Sequence, residues 1–177
     1  MTLNRPGWRS VKLGDIAKVT TGGTPSRKEP GHWNGEVPGI TTSLINFNLI
    51  EAAEQYLTSE GVADSSAKVF PRGTLLMAMF GQGVTRGKVA ILGIDAACNQ
   101  ACVGIVPTAE ANSEYLYQFL AQNYDAIRQL SNSGSQENLN AGLIKGIDVV
   151  LPPLPEQRTI AAILSTSGPP HQDSDLP

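Results

Sequence analysis

Three glycines and two cations fall within nine residues at Gly81-Gln82-Gly83-Val84-Thr85-Arg86-Gly87-Lys88-Val89, a composition that first raises phosphate binding. A nucleotide-cradling P-loop needs four residues between its first glycine and its Gly-Lys pair, followed by a hydroxyl for magnesium. Here that spacing lands on Gln82, and Val89 carries no hydroxyl. The dinucleotide fingerprint fails as well: with Gly81 and Gly83 as its first glycines, the third falls on Arg86. The stretch suits a hairpin loop between two apolar runs, with a backbone that lies close to another surface. The competing explanation is a flexible hairpin with solvated charges.

Two other polar stretches have the makings of a binding surface. Thr21, Thr24, Ser26 and Arg27 flank Gly22-Gly23, where short hydroxyls and backbone N–H groups suit phosphate oxygens; glycine-turn geometry alone is the alternative. Ser133, Ser135, Gln136, Asn138 and Asn140 form a second polar loop, whose amides either meet a ligand or cap the next segment. Asn99 and Gln100 precede an apolar run, a place where amides commonly satisfy backbone groups. No catalytic set emerges. The serines and both histidines, His32 and His171, lie in no nucleophile context, and Cys98 and Cys102 lack the further ligands of a zinc site, so buried thiols are expected. Leu151-Pro152-Pro153-Leu154 has the prolines of an adenine methyltransferase motif without its polar and aromatic members. The chain is therefore expected not to be an enzyme.

These loops need a scaffold. The pattern predicts a short helix within residues 8–19, with Leu13, Ile16 and Ala17 facing inward, then a strand into Thr20 and Thr21. Residues 27–36 read as an exposed loop before a strand near 37–41, and 59–63 as one helical turn. Strands are expected over 73–80, 89–92 and 101–106. The clearest helix is predicted over 114–130, with Ser113 as N-cap and Leu116, Phe119, Leu120, Tyr124, Ile127 and Leu130 on one face. Leu143, Ile147, Val149 and Leu151 alternate as a final strand.

Three prolines, Pro152, Pro153 and Pro155, then hold the backbone extended and aim it into a helix with Pro155 as its first residue. Ile160, Ala161, Ile163 and Leu164 give that helix an apolar stripe, cut short by Ser165-Thr166-Ser167-Gly168-Pro169-Pro170. Composition fits one globular domain: 177 residues, 41% apolar and 16% charged. The longest apolar runs fall far below the roughly 20 residues that cross a bilayer, so a cytoplasmic location is expected. A formal net charge of −3 argues against strong autonomous nucleic-acid binding, because phosphate contacts supply most non-specific affinity. The distribution softens this: Arg5, Arg9, Lys12, Lys18, Arg27 and Lys28 outnumber the acids of residues 1–36, and Lys68, Arg72, Arg86 and Lys88 meet only Asp95 over 66–108.

The Pro-Pro-Leu-Pro-Glu-Gln-Arg-Thr-Ile-Ala-Ala-Ile-Leu segment at 152–164 resembles the junction where a target-recognition domain of a type I restriction-modification specificity subunit passes into its long conserved helix. Further matches precede it in order: Thr20-Thr21-Gly22-Gly23-Thr24-Pro25-Ser26, Phe70-Pro71-Arg72-Gly73-Thr74-Leu75-Leu76, Gly83 to Ala90, Asn99-Gln100-Ala101-Cys102 and Gln136-Glu137-Asn138-Leu139-Asn140. One departure is Gly39, where many relatives carry tryptophan after the proline. The resemblance covers residues of about 8 to 164. It implies an α+β fold with a twisted, mostly antiparallel sheet, peripheral helices and long loops. The expected division is a recognition domain over 1–154, the start of a truncated connector helix over 155–166, and a disordered tail over 167–177.

Function follows as an expectation: recognition of double-stranded DNA for modification and restriction subunits, which methylate adenine and cleave. By this resemblance S-adenosylmethionine, ATP and magnesium belong to those partners, and this chain holds no cofactor. A whole subunit of the family carries two such domains, so a half-size chain is expected to pair with itself. The alternatives are an inactive recombining fragment, or a protein-interaction module such as an inhibitor or assembly factor. The expected DNA contacts are Thr21, Gly22, Gly23, Thr24, Ser26, Arg27, Thr41, Thr42, Gln82, Thr85, Arg86, Lys88, Ser133, Ser135, Gln136, Asn138 and Asn140. Among them Arg86 suits guanine O6 and N7, Gln82 suits adenine, and Lys88 suits phosphate. Glu156, Gln157, Ile160, Ile163 and Leu164 are the expected partner-docking residues.

Overall fold

Why Leu75-Leu76-Met77-Ala78 forms the centre of the molecule is plain from its burial: all four residues are covered, as a strand packed on both faces must be. In the computed structural model, which describes residues 5–81, 83–132 and 138–168, this strand is flanked by sheet on each side. The elements run β1 Arg9–Lys12, α1 Leu13–Ile16, β2 Ala17–Thr21, β3 Trp33–Ile40, β4 Leu49–Ile50, β5 Gln55–Leu57, α2 Ser59–Ala63, β6 Val69–Phe70 and β7 Leu75–Ala78. They continue with β8 Val89–Leu92, β9 Ala96–Cys98, β10 Cys102–Pro107, α3 Ser113–Gln122, α4 Tyr124–Gln129, α5 Ala141–Lys145, β11 Asp148–Leu151 and α6 Leu154–Ser165.

The class is α+β as expected, with the strands shared among three sheets. One has five strands in the order β2-β10-β7-β8-β4, one has four in the order β5-β3-β9-β6, and β1 pairs with β11. All pairings are antiparallel except β4 with β8 and β3 with β9. Because successive side chains point to opposite faces, β7 sends Leu75 and Met77 into one apolar cluster with Leu116, Leu120 and Ile127 of α3 and α4. Leu76 and Ala78 enter a second cluster with Ile40, Phe70 and Cys98, between the two larger sheets. The molecule is thus layered helix, sheet, sheet. Gly104 of β10 is part of that stacking, since a Cβ there would stand 2.3 Å from the Phe70 ring.

Several expectations are corrected. The helix expected over 114–130 is broken at Asn123 into α3 and α4, and its N-cap is Asn112, whose Oδ1 accepts from the Tyr115 N–H at 2.9 Å, rather than Ser113. The first part of the alternation from Leu143 to Leu151 is helical: Asn140 caps α5 through the Leu143 N–H at 2.9 Å, and the strand begins only at Asp148. Residues 30–32 form a short 3-10 turn, and β3 begins at Trp33, inside the span expected to be loop. The helix after the prolines starts at Leu154, one residue before Pro155. Most of the tail, residues 169–177, lies outside the described residues.

Candidate nucleic-acid interface

The registers bring the polar loops together. Val103 pairs with Thr21, Cys102 with Ala78, and Met77 with Val89, so β2 and β7 end, and β8 and β10 begin, along one end of the five-stranded sheet. The parallel pair Ile40–Cys98 ends β3 and β9 beside them. Backbone bonds stitch these ends into one strip: Gly22 N–H to Cys102 C=O at 3.0 Å, Gly23 to Cys98 at 2.9 Å, Asn99 to Ile40 at 3.0 Å, Met79 to Ala101 at 2.8 Å and Leu139 to Met79 at 3.0 Å. Consequently Thr21, Thr24, Thr41, Thr42, Thr85, Arg86, Asn138 and Asn140 stand in neighbouring loops, although they span most of the sequence. Gln82, Ser133, Ser135 and Gln136 lie outside the described residues.

Within the strip, residues differ in what they offer. Gly22 and Gly23 are buried and their N–H groups are used as above, so they do not present donors to phosphate. Glycine is required there by close approach: a Cβ on Gly22 would meet the Cys98 carbonyl oxygen at 2.2 Å, and one on Gly23 the Ser66 backbone at 2.4 Å. Thr24 donates to Gln100 Oε1 at 2.5 Å, Ser26 accepts from the Lys28 N–H at 3.2 Å, and Thr41 shares a hydrogen bond with Ser43 at 2.5 Å. Arg27 is exposed but turned sideways, its guanidinium 3.7 Å from the Trp33 ring centroid and donating to Gln55 Oε1 at 2.6 Å. Thr85 and Arg86 are half-buried, and Asn138 is exposed.

Lys88 departs most from expectation. It is 9% exposed, donates to Asn46 Oδ1 at 2.6 Å, and lies 5.7 Å from the Phe47 ring centroid. Phosphate contact would require Lys88 to leave that internal tie. It anchors the turn at 46–48, where Phe47 holds a left-handed φ of 53° that costs a non-glycine residue strain. The Phe47 N–H on the Val89 carbonyl at 3.0 Å, and the Phe47 ring edge-on to Tyr124 at 5.2 Å, hold that conformation.

Asn99 is structural, its Oδ1 accepting from the Ala101 N–H at 3.1 Å and the Cys102 thiol at 3.2 Å. A hydrogen bond with the neighbouring Cys98, together with burial, pushes the Cys102 thiol far up and disfavours its thiolate; Cys98 is buried beside it. Missed altogether in the sequence are the residues that hold the glycine loop from beneath: the Tyr124 hydroxyl donates to the Val84 carbonyl, and the Arg128 guanidinium donates to the Gly83 carbonyl. In the sequence Tyr124 reads only as part of the helix's apolar face, and Arg128 gives no signal at all.

At the other end of the sheet α6 begins, and its C-terminal Ser165, with Gly168 just beyond, lines a groove shared with Phe47, Asn48 and Leu49. Gln157, expected to dock a partner, is fully buried: its amide nitrogen donates to the carbonyls of Glu110 at 2.9 Å and Pro152 at 2.8 Å, and its oxygen accepts from the Asn112 N–H at 2.8 Å. Within this chain it acts as an internal fastener. Glu156 accepts from the Trp8 indole at 2.8 Å, Ile160 packs partly on the core, Leu164 is half-buried, and Ile163 is 62% exposed.

The family described as "Type I restriction modification DNA specificity domain" matches residues 6–168. The chain belongs to this family. The specificity subunit of the type I restriction enzyme MjaIX from Methanocaldococcus jannaschii is 31% identical over 163 residues, 89% of this chain and 37% of that protein. The EcoR124I/EcoR124II specificity subunit from Escherichia coli is 27% identical over 163 residues, 89% of this chain and 39% of that one. Among solved structures, the HsdS subunit from Thermoanaerobacter tengcongensis superposes with a TM-score of 0.72 at 17% identity, covering 92% of this chain and 37% of that one. A chain from a study of complex assembly and conformational transition in the type I R-M system gives a TM-score of 0.75 at 17% identity, with 92% and 38% covered. The type I specificity domain described here thus spans under two-fifths of the length of these relatives. Among the described residues no helix is long and apolar enough to cross a membrane.

Proposed function

We propose that this specificity domain reads duplex DNA with the strip of loops at 21–27, 41–43, 83–86 and 138–140, and presents α6 to the other subunits of a type I restriction-modification assembly. The observation that carries the reading is convergence: polar loops from distant parts of the sequence share one end of the sheet, and α6 leaves from the opposite end. Direct readout needs side chains that reach base edges, and Arg86 is the residue of the strip suited to pair bidentately with guanine. Thr21, Thr42, Thr85 and Asn138 supply shorter polar contacts to phosphate, sugar or base. No catalytic step is assigned to this chain. Adenine methylation with S-adenosylmethionine, and ATP- and magnesium-dependent cleavage, are assigned to partner subunits.

Selection of bound duplexes from a random library, by the chain assembled with its modification subunits, tests the reading. Enrichment of a defined motif is the expected result. Retention without any sequence preference, or no retention at all, would replace it with a protein-binding role, to which the net charge of −3 is better suited.

A further inference from the structure

Two residues outside every loop of the strip, Tyr124 and Arg128, fix the conformation of the glycine loop. Both stand on α4, one helical turn apart, on the face turned toward the loop. Tyr124 donates to the Val84 carbonyl and Arg128 to the Gly83 carbonyl. The two side chains brace each other, with the Arg128 guanidinium 5.2 Å from the Tyr124 ring centroid, while the opposing turn presses Phe47 edge-on against the same ring. Contact continues at the loop's far end: Gly87 has φ 88°, and a Cβ there would stand 2.9 Å from Arg128 Cγ and 3.5 Å from the Tyr124 ring. Gly87 N–H also bonds the Ala78 carbonyl at 2.9 Å, and Lys88 N–H the Thr85 carbonyl at 3.1 Å.

These contacts matter because of what the loop lacks. Gly81, Gly83 and Gly87 all take positive φ values, 131°, 70° and 88°, and glycine in such positions imposes little conformation of its own. Base readout requires side chains held to within about 0.5 Å of productive geometry by neighbours that are themselves locked. Both ties are made to main-chain carbonyls, so they govern where the backbone runs without engaging the loop's side chains: Val84 is 51% exposed, and Thr85 and Arg86 are half-buried.

We infer that Tyr124 and Arg128 are positioning residues for target recognition, acting through the Gly83 and Val84 carbonyls to set the base preference of the loop that carries Arg86, without touching DNA themselves. The inference rests on the proposed DNA-reading role of that loop and adds the part of the fold that makes the role selective.

The test compares wild type, Tyr124→Phe, Arg128→Met, the double variant and Arg128→Lys, each assembled with the modification subunits, by library selection and by binding at several salt concentrations. Tyr124→Phe keeps the ring on Phe47, and Arg128→Lys keeps a donor, so a fold defect is separable from a lost tie. The double variant is expected to lose roughly 5- to 150-fold discrimination at one or two adjacent base positions, the range of one well-made base contact. Non-specific affinity and its salt slope should stay at wild-type values, and Arg128→Lys should restore part of the discrimination. Unchanged preference in the double variant overturns the inference while leaving DNA reading by the strip intact. A uniform loss across sequences with a shallower salt slope also overturns it, by making Arg128 a phosphate contact. Wild-type protein that enriches no motif overturns the underlying reading instead.

Discussion

The loop end and the α6 end are built from different materials. The loop end is held by main-chain bonds and glycines at close approach, with side chains borrowed from α4 and from the turn at 46–48. The α6 end is held by buried side chains: Gln157 makes three hydrogen bonds, and Tyr115 donates to the Val150 carbonyl at 2.5 Å. A surface that is to vary in what it recognises gains from loops whose backbone is fixed independently of their outward side chains. A surface that meets a constant partner has no such need and can commit its polar side chains to the interior.

The largest expected effect comes from the closest approach at the loop end. Gly22→Ala places a Cβ against backbone on β9 that cannot move aside, and should destabilise the fold by about 3 kcal/mol in denaturant titration. Gln157→Ala leaves the buried Pro152 carbonyl, the Glu110 carbonyl and the Asn112 N–H without their partner, and should cost about 2 kcal/mol at the other end. If Gly22→Ala proves neutral, the close-packed account of the loop end is wrong.

Next in size are changes to recognition. Arg86→Ala should lower discrimination at one base position by about 1–2 kcal/mol in competitive binding, with little effect on stability. Lys88→Met sharpens the contrast: as an internal tie it should lower stability and leave the salt slope of DNA binding unchanged, where a phosphate contact would reduce that slope by about one. Smaller still is the alkaline response of the α6 end. Burial pushes the Tyr115 hydroxyl from its ordinary value of 10.0 up to about 12, so the folded state keeps this proton where the unfolded chain has lost it. Its stabilising contribution is therefore full below pH 10 and declines as pH rises toward 12. Alkaline denaturation followed by circular dichroism should show a shallower decline in Tyr115→Phe, and an identical profile would remove Tyr115 from that response.

Much of the scaffold was legible in the sequence because its signals are local. Val89-Ala90-Ile91-Leu92 reads as a buried strand and is one. The helical run after Asn112 is visible from its apolar spacing, but its break at Asn123, where the side-chain amide bonds the Phe119 carbonyl at 2.8 Å, is not. Strands of two or three residues, such as β4, β6 and β9, are too short to show any period. At the candidate interface, the polar loops are recognisable by composition, whereas the burial of Lys88 and of Gln157 depends on partners 42 and 45 or more residues away or hidden in irregular chain, beyond any local pattern. The same distance hides the roles of Tyr124 and Arg128.

Hydrogen exchange by mass spectrometry, on the chain assembled with its modification subunits, with and without a selected duplex, tests the division between the two ends most directly. The account predicts new amide protection on DNA addition at 21–27, 41–43 and 83–88, with α6 unchanged by DNA and protected only by assembly. Protection of α6 by DNA, with the loop strip unaffected, would contradict it.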